Sequence, residues 1–330
     1  MPIVAHPKLP SLSKLKTEDL IIADASSLAK DINQELHIGL LNLMPDAALQ
    51  ATERQFIRLL GSDENILVHV YPTTVGSSKR GEEFQDYIAK NYNDISTIYA
   101  SKLDGLIISG ANPSKQDMTE EPFWVPLIEV MDWAMENINS ILCSCLATHA
   151  LMKYYFNIDR ELRGQKSWGV FPHTVANTSN PLIAGLDDGF MGPHSHFYDL
   201  PLKKIQDTDL EILAYNSQAG FFLASTTDTK LVLYQGHPEY DAISLLKEYQ
   251  REITNFLSGL RPDYPPLPEN YFSKAAISVL ENFQKKVLLT KEQSNFPEAH
   301  LSELVKVEWR HPGKILYKNW LNILAKVKEL

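Results

Sequence analysis

Short apolar runs alternate with stretches of helical periodicity through the first half of the chain, and this alternation constrains the fold most. His37-Ile38-Gly39-Leu40-Leu41-Asn42-Leu43 is nearly all apolar, as expected of a strand buried on both faces of a parallel sheet. Ile66 to Tyr71, Leu103 to Gly110 and Ile141 to Cys143 are further strand candidates. Between them, Ala47 to Leu60 (stopped by Gly61), Glu82 to Tyr92 and Phe123 to Met135 space their apolar residues as helices do. Strand and helix in alternation imply βαβ units with right-handed crossovers. The fold class expected is therefore α/β, a mostly parallel sheet flanked by helices. In such sheets functional groups gather at the carboxyl ends of the strands, where Asn42, Gly110 and Cys145 fall.

The second half changes character. Gly164 to Ile183 and Phe197 to Thr226 hold shorter strand-like pieces, and Leu231 to Gln235 is the last convincing strand. Helices are expected over Ile243–Leu257, Ser273–Val287 and Ile315–Val327, with a Pro-rich link starting at Arg261. The chain accordingly divides into an arm (1–35, with one apolar piece at Leu20-Ile21-Ile22), a catalytic α/β domain (36–260) and a C-terminal helical extension packing on it (261–330).

With 330 residues, 44% hydrophobic and 22% charged, the chain can bury a sizeable core. A formal net charge of −10 without a dense Lys/Arg cluster argues against a nucleic-acid partner. No run reaches the roughly 18 uninterrupted apolar residues of a spanning helix, and the first thirty residues lack a signal-peptide core. Cys143 and Cys145 are too close for an ordinary disulfide and point to a reducing compartment, hence the cytoplasm. No Cys/His cluster has zinc spacing, so no metal is expected.

Ser140 to Tyr155 reads as a strand, a sharp turn and a helix. A cysteine at that turn, Cys145, meets the first free N–H groups of the helix, which favour its thiolate. A second candidate group, His237-Pro238-Glu239, comes straight off the last strand. Residues two apart in an extended segment point the same way, so His237 and Glu239 can approach Cys145 from one side as base and orienting carboxylate. Each has a plain alternative: a buried small hydrophobe for Cys145, a strand-end histidine bonded to a carbonyl for His237, and a helix-start charge for Glu239. Their combination in this topology favours the triad.

The residues also carry a family resemblance. I-G-L-L-N-L-M-P (38–45), D-G-L-I-I-S-G-A (104–111), G-P-H-S (192–195), T-D-L-E-I-L-A (208–214), G-H-P-E-Y-D (236–241) and N-W-L-N (319–322) resemble, in order, the homoserine O-acyltransferase family of methionine biosynthesis. That family's fold is similar to the class I glutamine amidotransferases (flavodoxin-like). The resemblance implies Cys145 as acyl acceptor, His237 as base and Glu239 as its partner. Backbone amides of the Asn42-Leu43-Met44 loop, represented by Leu43, and of Leu146 would form an oxyanion hole, at about 3 kcal/mol per donor. It also implies substrate-binding roles for Lys166 and Ser195, and an Arg251 that grips the substrate carboxylate. For Lys166 and Arg251 the plain alternative is a solvated surface charge.

Three departures stand out. Leu146 and His149 occupy positions where the family has tryptophan and glutamine, and His196 stands where an arginine usually follows the active-site serine. The position that separates acetyl from succinyl donors is Ser114, small and uncharged, followed by Lys115, which leans the donor toward succinyl. The segment 273–306 is longer than the family pattern. The implied activity is transfer of an acyl group from acyl-CoA, a co-substrate rather than a bound cofactor, to the hydroxyl of L-homoserine, by a homodimer. The alternatives are an L-serine or other amino-alcohol acyltransferase, a glutamine amidotransferase or amidase, and a non-catalytic binder. The amidotransferase cysteine usually lies in G-x-C-x-G, which Ser144-Cys145-Leu146-Ala147 does not match.

Overall fold

The computed structural model describes residues 3–6, 9–16, 34–76, 80–290 and 296–329. Its first half runs β1 (Ile3–Ala5), α1 (Leu12–Lys16), β2 (Gln34–Leu41), α2 (Asp46–Leu60), β3 (Ile66–Thr73), α3 (Glu82–Asn91), α4 (Ile95–Ala100), β4 (Gly105–Ile108), α5 (Trp124–Asn137), β5 (Ser140–Ser144) and α6 (Leu146–Phe156). There follow β6 (Glu161–Val175), β7 (Phe190–Asp199), α7 (Leu202–Gln206), β8 (Leu210–Asn216), β9 (Gly220–Thr226) and β10 (Leu231–Tyr234). The chain closes with α8 (Ser244–Leu257), α9 (Lys274–Thr290), α10 (Glu298–Leu304) and α11 (Arg310–Lys328).

The described strands form one sheet in the order β1-β3-β2-β4-β5-β10-β9-β8-β6-β7. The pairs from β1 to β10 are parallel, and β9, β8, β6 and β7 complete the sheet antiparallel. The parallel strands follow the apolar runs because both faces are covered. Leu36, Ile38 and Leu40 enter one core with α2 and α11, while Leu41, Leu106, Ile108 and Ile141 enter the other with α5 and α6. A third cluster joins Trp168 and Val170 of β6 to α8, α9 and α10.

Two segments differ from the sequence reading. Ile3-Val4-Ala5, within the stretch read as an arm, is buried and forms the edge strand beside β3; three residues are too few to show a period. The piece Leu20-Ile21-Ile22 lies outside the described residues. The long β6–β7 hairpin also hides in the sequence, because β7 buries Pro193, His194 and His196 where a strand pattern looks for apolar residues.

Helix α11 lies directly on the sheet. Gly105 of β4 has no Cβ to meet Trp320 and Leu324, which occupy that space. Trp320 is fully buried and its Nε1–H donates to Ser140 Oγ at 2.9 Å, which in turn donates to the Thr229 carbonyl at 2.6 Å. Trp320→Ala is expected to cost about 3–5 kcal/mol of stability, the range for emptying a large aromatic site. Denaturant unfolding checks this, and a loss below about 1 kcal/mol would contradict the packing described.

Candidate active site

Strands β5 and β10 are parallel neighbours in register Tyr234↔Ser144, so the residues just beyond them emerge side by side. Cys145 follows β5 with φ 50° and ψ −106°, a left-handed conformation for a residue with a Cβ. Such strain, on the order of 1–3 kcal/mol, persists only when the surroundings impose it. Here the Cys145 N–H donates to Tyr234 O at 2.7 Å, and Thr148 Oγ1 donates to Cys143 O and Tyr234 O at 3.0 and 2.9 Å. The sharp elbow lifts the half-buried Cys145 side chain off the sheet at the first turn of α6. Cys143, in the strand below it, is fully buried, and burial pushes its thiol pKa far up.

Beyond β10, the His237 N–H donates to Pro193 O at 2.9 Å, which ties this loop to β7. His237 Nδ1 donates to Glu239 Oε1 at 2.7 Å, and both side chains are buried. That bond leaves Nε2 for the hydrogen bond between the His237 and Cys145 side chains. Burial works to lower the His237 pKa, but the Glu239 charge and the bonds to Cys145 and Glu239 outweigh it and raise it to about 10. The ring is thus held as an imidazolium beside the sulfur across the neutral range. Asp241 anchors the loop from below through ion pairs with Arg54 and Arg58 of α2.

The His237 ring stacks on Tyr240, with centroids 4.2 Å apart and planes 19° apart. Tyr240 OH donates to Glu248 Oε1 at 2.9 Å, and Glu248 Oε2 receives Ser195 Oγ and, at 3.0 Å, Lys166 Nζ. Burial alone would raise the Glu248 pKa; the Lys166 charge and these donors bring it below the usual carboxylate value. The structure therefore brings Cys145, His237, Glu239, Ser195 and Lys166 into one connected group. Glu248, its hub, was missed in the sequence, where an acidic residue on an amphipathic helix looks like solvated surface.

Two expected residues stand apart. Arg251, one turn beyond Glu248 on α8, is exposed, and its nearest charged partner is Glu252 at 3.9 Å. The Leu43 amide, expected as an oxyanion donor, instead donates to Ser109 Oγ at 2.9 Å, while the Asn42 and Met44 amides donate to Thr73 O and Asn42 Oδ1. A committed N–H cannot also meet an oxyanion, so of the two amides only that of Leu146, at the start of α6 with no preceding turn to bond, lies open beside Cys145. Gly110 is the other close neighbour: a Cβ added there would lie 3.6 Å from Cys145 Cβ.

The altered positions are buried. His149 Nε2 meets Gln235 Oε1 at 2.5 Å, and burial lowers its pKa to about 4. His196 bonds Tyr198 O through Nδ1 and His194 through Nε2, and burial holds its pKa well below the usual histidine value. Ser114 lies exposed in the loop after β4, where the buried Glu121 carboxylate accepts the Ser114 and Lys115 N–H groups. That loop forms one wall of a cavity of about 520 Å³, with Arg160 and Tyr198 on the other side. The Arg160 guanidinium sits 3.9 Å over the Tyr198 ring and interacts electrostatically with Cys145. Sequence reasoning missed Arg160 because a lone arginine after a helix carries no pattern.

The family model for homoserine O-succinyltransferase matches residues 2–329. A homoserine O-succinyltransferase from Methylobacter tundripaludum is 45% identical over 327 residues, covering 97% of this chain and 92% of the relative. One from Methylococcus capsulatus is 41% identical over 335 residues, covering 100% and 94%. Among solved structures, a glutamine amidotransferase from Thermotoga maritima is similar at 12% identity and TM-score 0.44, covering 89% of this chain and 99% of that one. A glutamine amidotransferase from Methylobacillus flagellatus is similar at 14% identity and TM-score 0.47, covering 88% and 95%. Matched along nearly its whole length by the family model and by relatives above 40% identity, the chain belongs to the homoserine O-succinyltransferase family.

Proposed function

We propose that this chain is an acyltransferase of methionine biosynthesis that moves a succinyl group from succinyl-CoA to the hydroxyl of L-homoserine through a thioester on Cys145. The observation that carries the reading is the Cys145–His237–Glu239 set on a strained strand-to-helix elbow. Cys145 Sγ, as thiolate, attacks the thioester carbonyl; the Leu146 amide faces the oxygen on which charge develops. Collapse of the tetrahedral intermediate breaks the carbon–sulfur bond to CoA, which leaves with the proton from His237. His237, now neutral, takes the homoserine hydroxyl proton as that oxygen attacks the acyl-cysteine. Departure of the Cys145 thiolate releases the O-succinyl ester and restores the ion pair.

Ser195 and Lys166, gathered on Glu248 beside the Tyr240–His237 stack, line the substrate side of the site in this reading. Arg251 is the cation for the homoserine carboxylate. The donor side is the cavity between the Ser114 loop and Arg160, where Lys153 and Arg160 in the lining, with Lys115 next in sequence to the lining residue Gln116, supply positive charge for a succinyl carboxylate. No metal or prosthetic group enters the scheme. A cytoplasmic homodimer without nucleic-acid or membrane partners completes it; no helix of the described residues is long and apolar enough to cross a membrane, and both cysteines are free thiols.

Initial rates with succinyl-CoA or acetyl-CoA, each with L-homoserine or L-serine, test the reading. Succinyl-CoA with L-homoserine is expected to be the best pair. Ser114→Glu should raise the KM for succinyl-CoA by about tenfold or more, since a like-charge contact costs on the order of 1–3 kcal/mol. Release of ammonia from L-glutamine without acyl transfer would overturn the reading in favour of an amidase.

A further inference from the structure

At the amino-terminal ends of the strands, β2 and β3 pair in register His37↔His69, with Glu35 two residues before His37 on the same face. We propose that Glu35, His37 and His69 form a binding site for a divalent transition-metal ion of the zinc class. One ligand atom from each lies within 4.8 Å of the others. Glu35 Oε1 is 3.3 Å from His37 Nε2 and 2.7 Å from His69 Nε2. Ligands about 2.0–2.1 Å from a tetrahedral ion are about 3.3 Å apart, so of the three pairs Glu35–His37 already has that spacing, Glu35–His69 must open by about half an ångström, and the two ring nitrogens lie within 4.8 Å of each other.

Both rings are oriented for this from behind. His69 Nδ1 bonds His6 Nε2 at 2.8 Å, and His37 Nδ1 bonds Tyr71 OH at 2.8 Å. Partners on the second ring nitrogen are what fix the tautomer and aim of a metal-ligating imidazole. His69 Nε2 is buried with no aligned hydrogen-bond partner, its approach to Glu35 notwithstanding. A buried ring nitrogen without an aligned partner calls for an explanation, and a bound ion is one that also fits the neighbouring carboxylate. Two imidazoles and a carboxylate suit zinc and its neighbours better than magnesium or calcium. The nearby Lys328 ammonium is itself engaged by Asp104 and the Glu35 carbonyl. The three side chains come from two strands, which is why linear spacing gave no metal signal.

By strand register the cluster lies about six residues, or about 20 Å, from the Cys145 end of the sheet. It is therefore separate from the acyl-transfer site, and its metal would steady the β1–β3–β2 edge. Equilibrium dialysis of the full chain against Zn²⁺ tests it, run on Cys145→Ser protein to remove the reactive thiol as a competing ligand. One equivalent should bind, and Zn²⁺ should raise Tm. Glu35→Gln and His37→Ala should each weaken binding by at least the roughly 10–100-fold typical even of second-layer changes. Glu35 and His37 are partly exposed, so these variants avoid the folding risk of changing His69. No binding at tens of micromolar Zn²⁺, or binding unchanged in both variants, would overturn the proposal.

Discussion

Cys145→Ser is expected to lower kcat with succinyl-CoA and L-homoserine by on the order of 10⁴-fold or more, with little change in stability. A serine preserves the elbow, because the bonds that hold it run through the Cys145 N–H, the Thr148 hydroxyl and Tyr234 O rather than through the sulfur. What it removes is the nucleophile: the hydroxyl is not ionised by a neighbouring imidazolium, whereas a thiolate is stabilised by one. Removing one member of a triad leaves only the rate supplied by binding and oxyanion contacts. Steady-state rates and a thermal melt on the same preparation check both halves. A variant within tenfold of wild type would mean that the sulfur is not the acyl carrier.

Glu239→Gln has the second largest expected effect, on the order of 10³- to 10⁴-fold in kcat. Its electrostatic consequence can be read separately. In the native protein burial depresses the His237 pKa, and Glu239 is the first contributor that overcomes it, to about 10. With glutamine there, the carbonyl can still accept from Nδ1 but the charge that opposes the desolvation most is gone, so the His237 pKa falls. The native pKa is raised above the free value, so the ion pair contributes stability that is complete below about pH 6.5 and fades as pH rises through about 10. Wild type should therefore exceed Glu239→Gln in stability around neutral pH, with the gap narrowing toward pH 10. NMR titration of the His237 ring and melts across that range measure this, and an unchanged His237 titration in Glu239→Gln would contradict the account.

The parallel half of the fold was legible because strands buried on both faces are written as apolar runs. The runs starting at His37, Ile66, Leu103 and Ile141 became β2, β3, β4 and β5. The antiparallel half was less so: β7 carries Pro193, His194 and His196 into the interior, and polar residues buried in a hydrogen-bonded chain give no hydrophobic period. The grouping of Cys145, His237 and Glu239 was visible because each follows a strand end. Glu248 and Arg160 were not, since their importance comes from what the fold brings to them: Lys166 from β6, Ser195 from β7 and Tyr240 from the loop after β10. The Leu43 amide shows the reverse case. A motif suggested an open donor, and Ser109, 66 residues away in sequence, occupies it.

In the proposed mechanism the acyl group passes through a covalent bond to Cys145. Intact-protein mass spectrometry after brief mixing with succinyl-CoA tests it most directly. A single succinyl adduct is expected on wild type, none on Cys145→Ser, and loss of the adduct when L-homoserine is added. Turnover to product with no adduct at any mixing time, or an adduct that persists on Cys145→Ser, would contradict it.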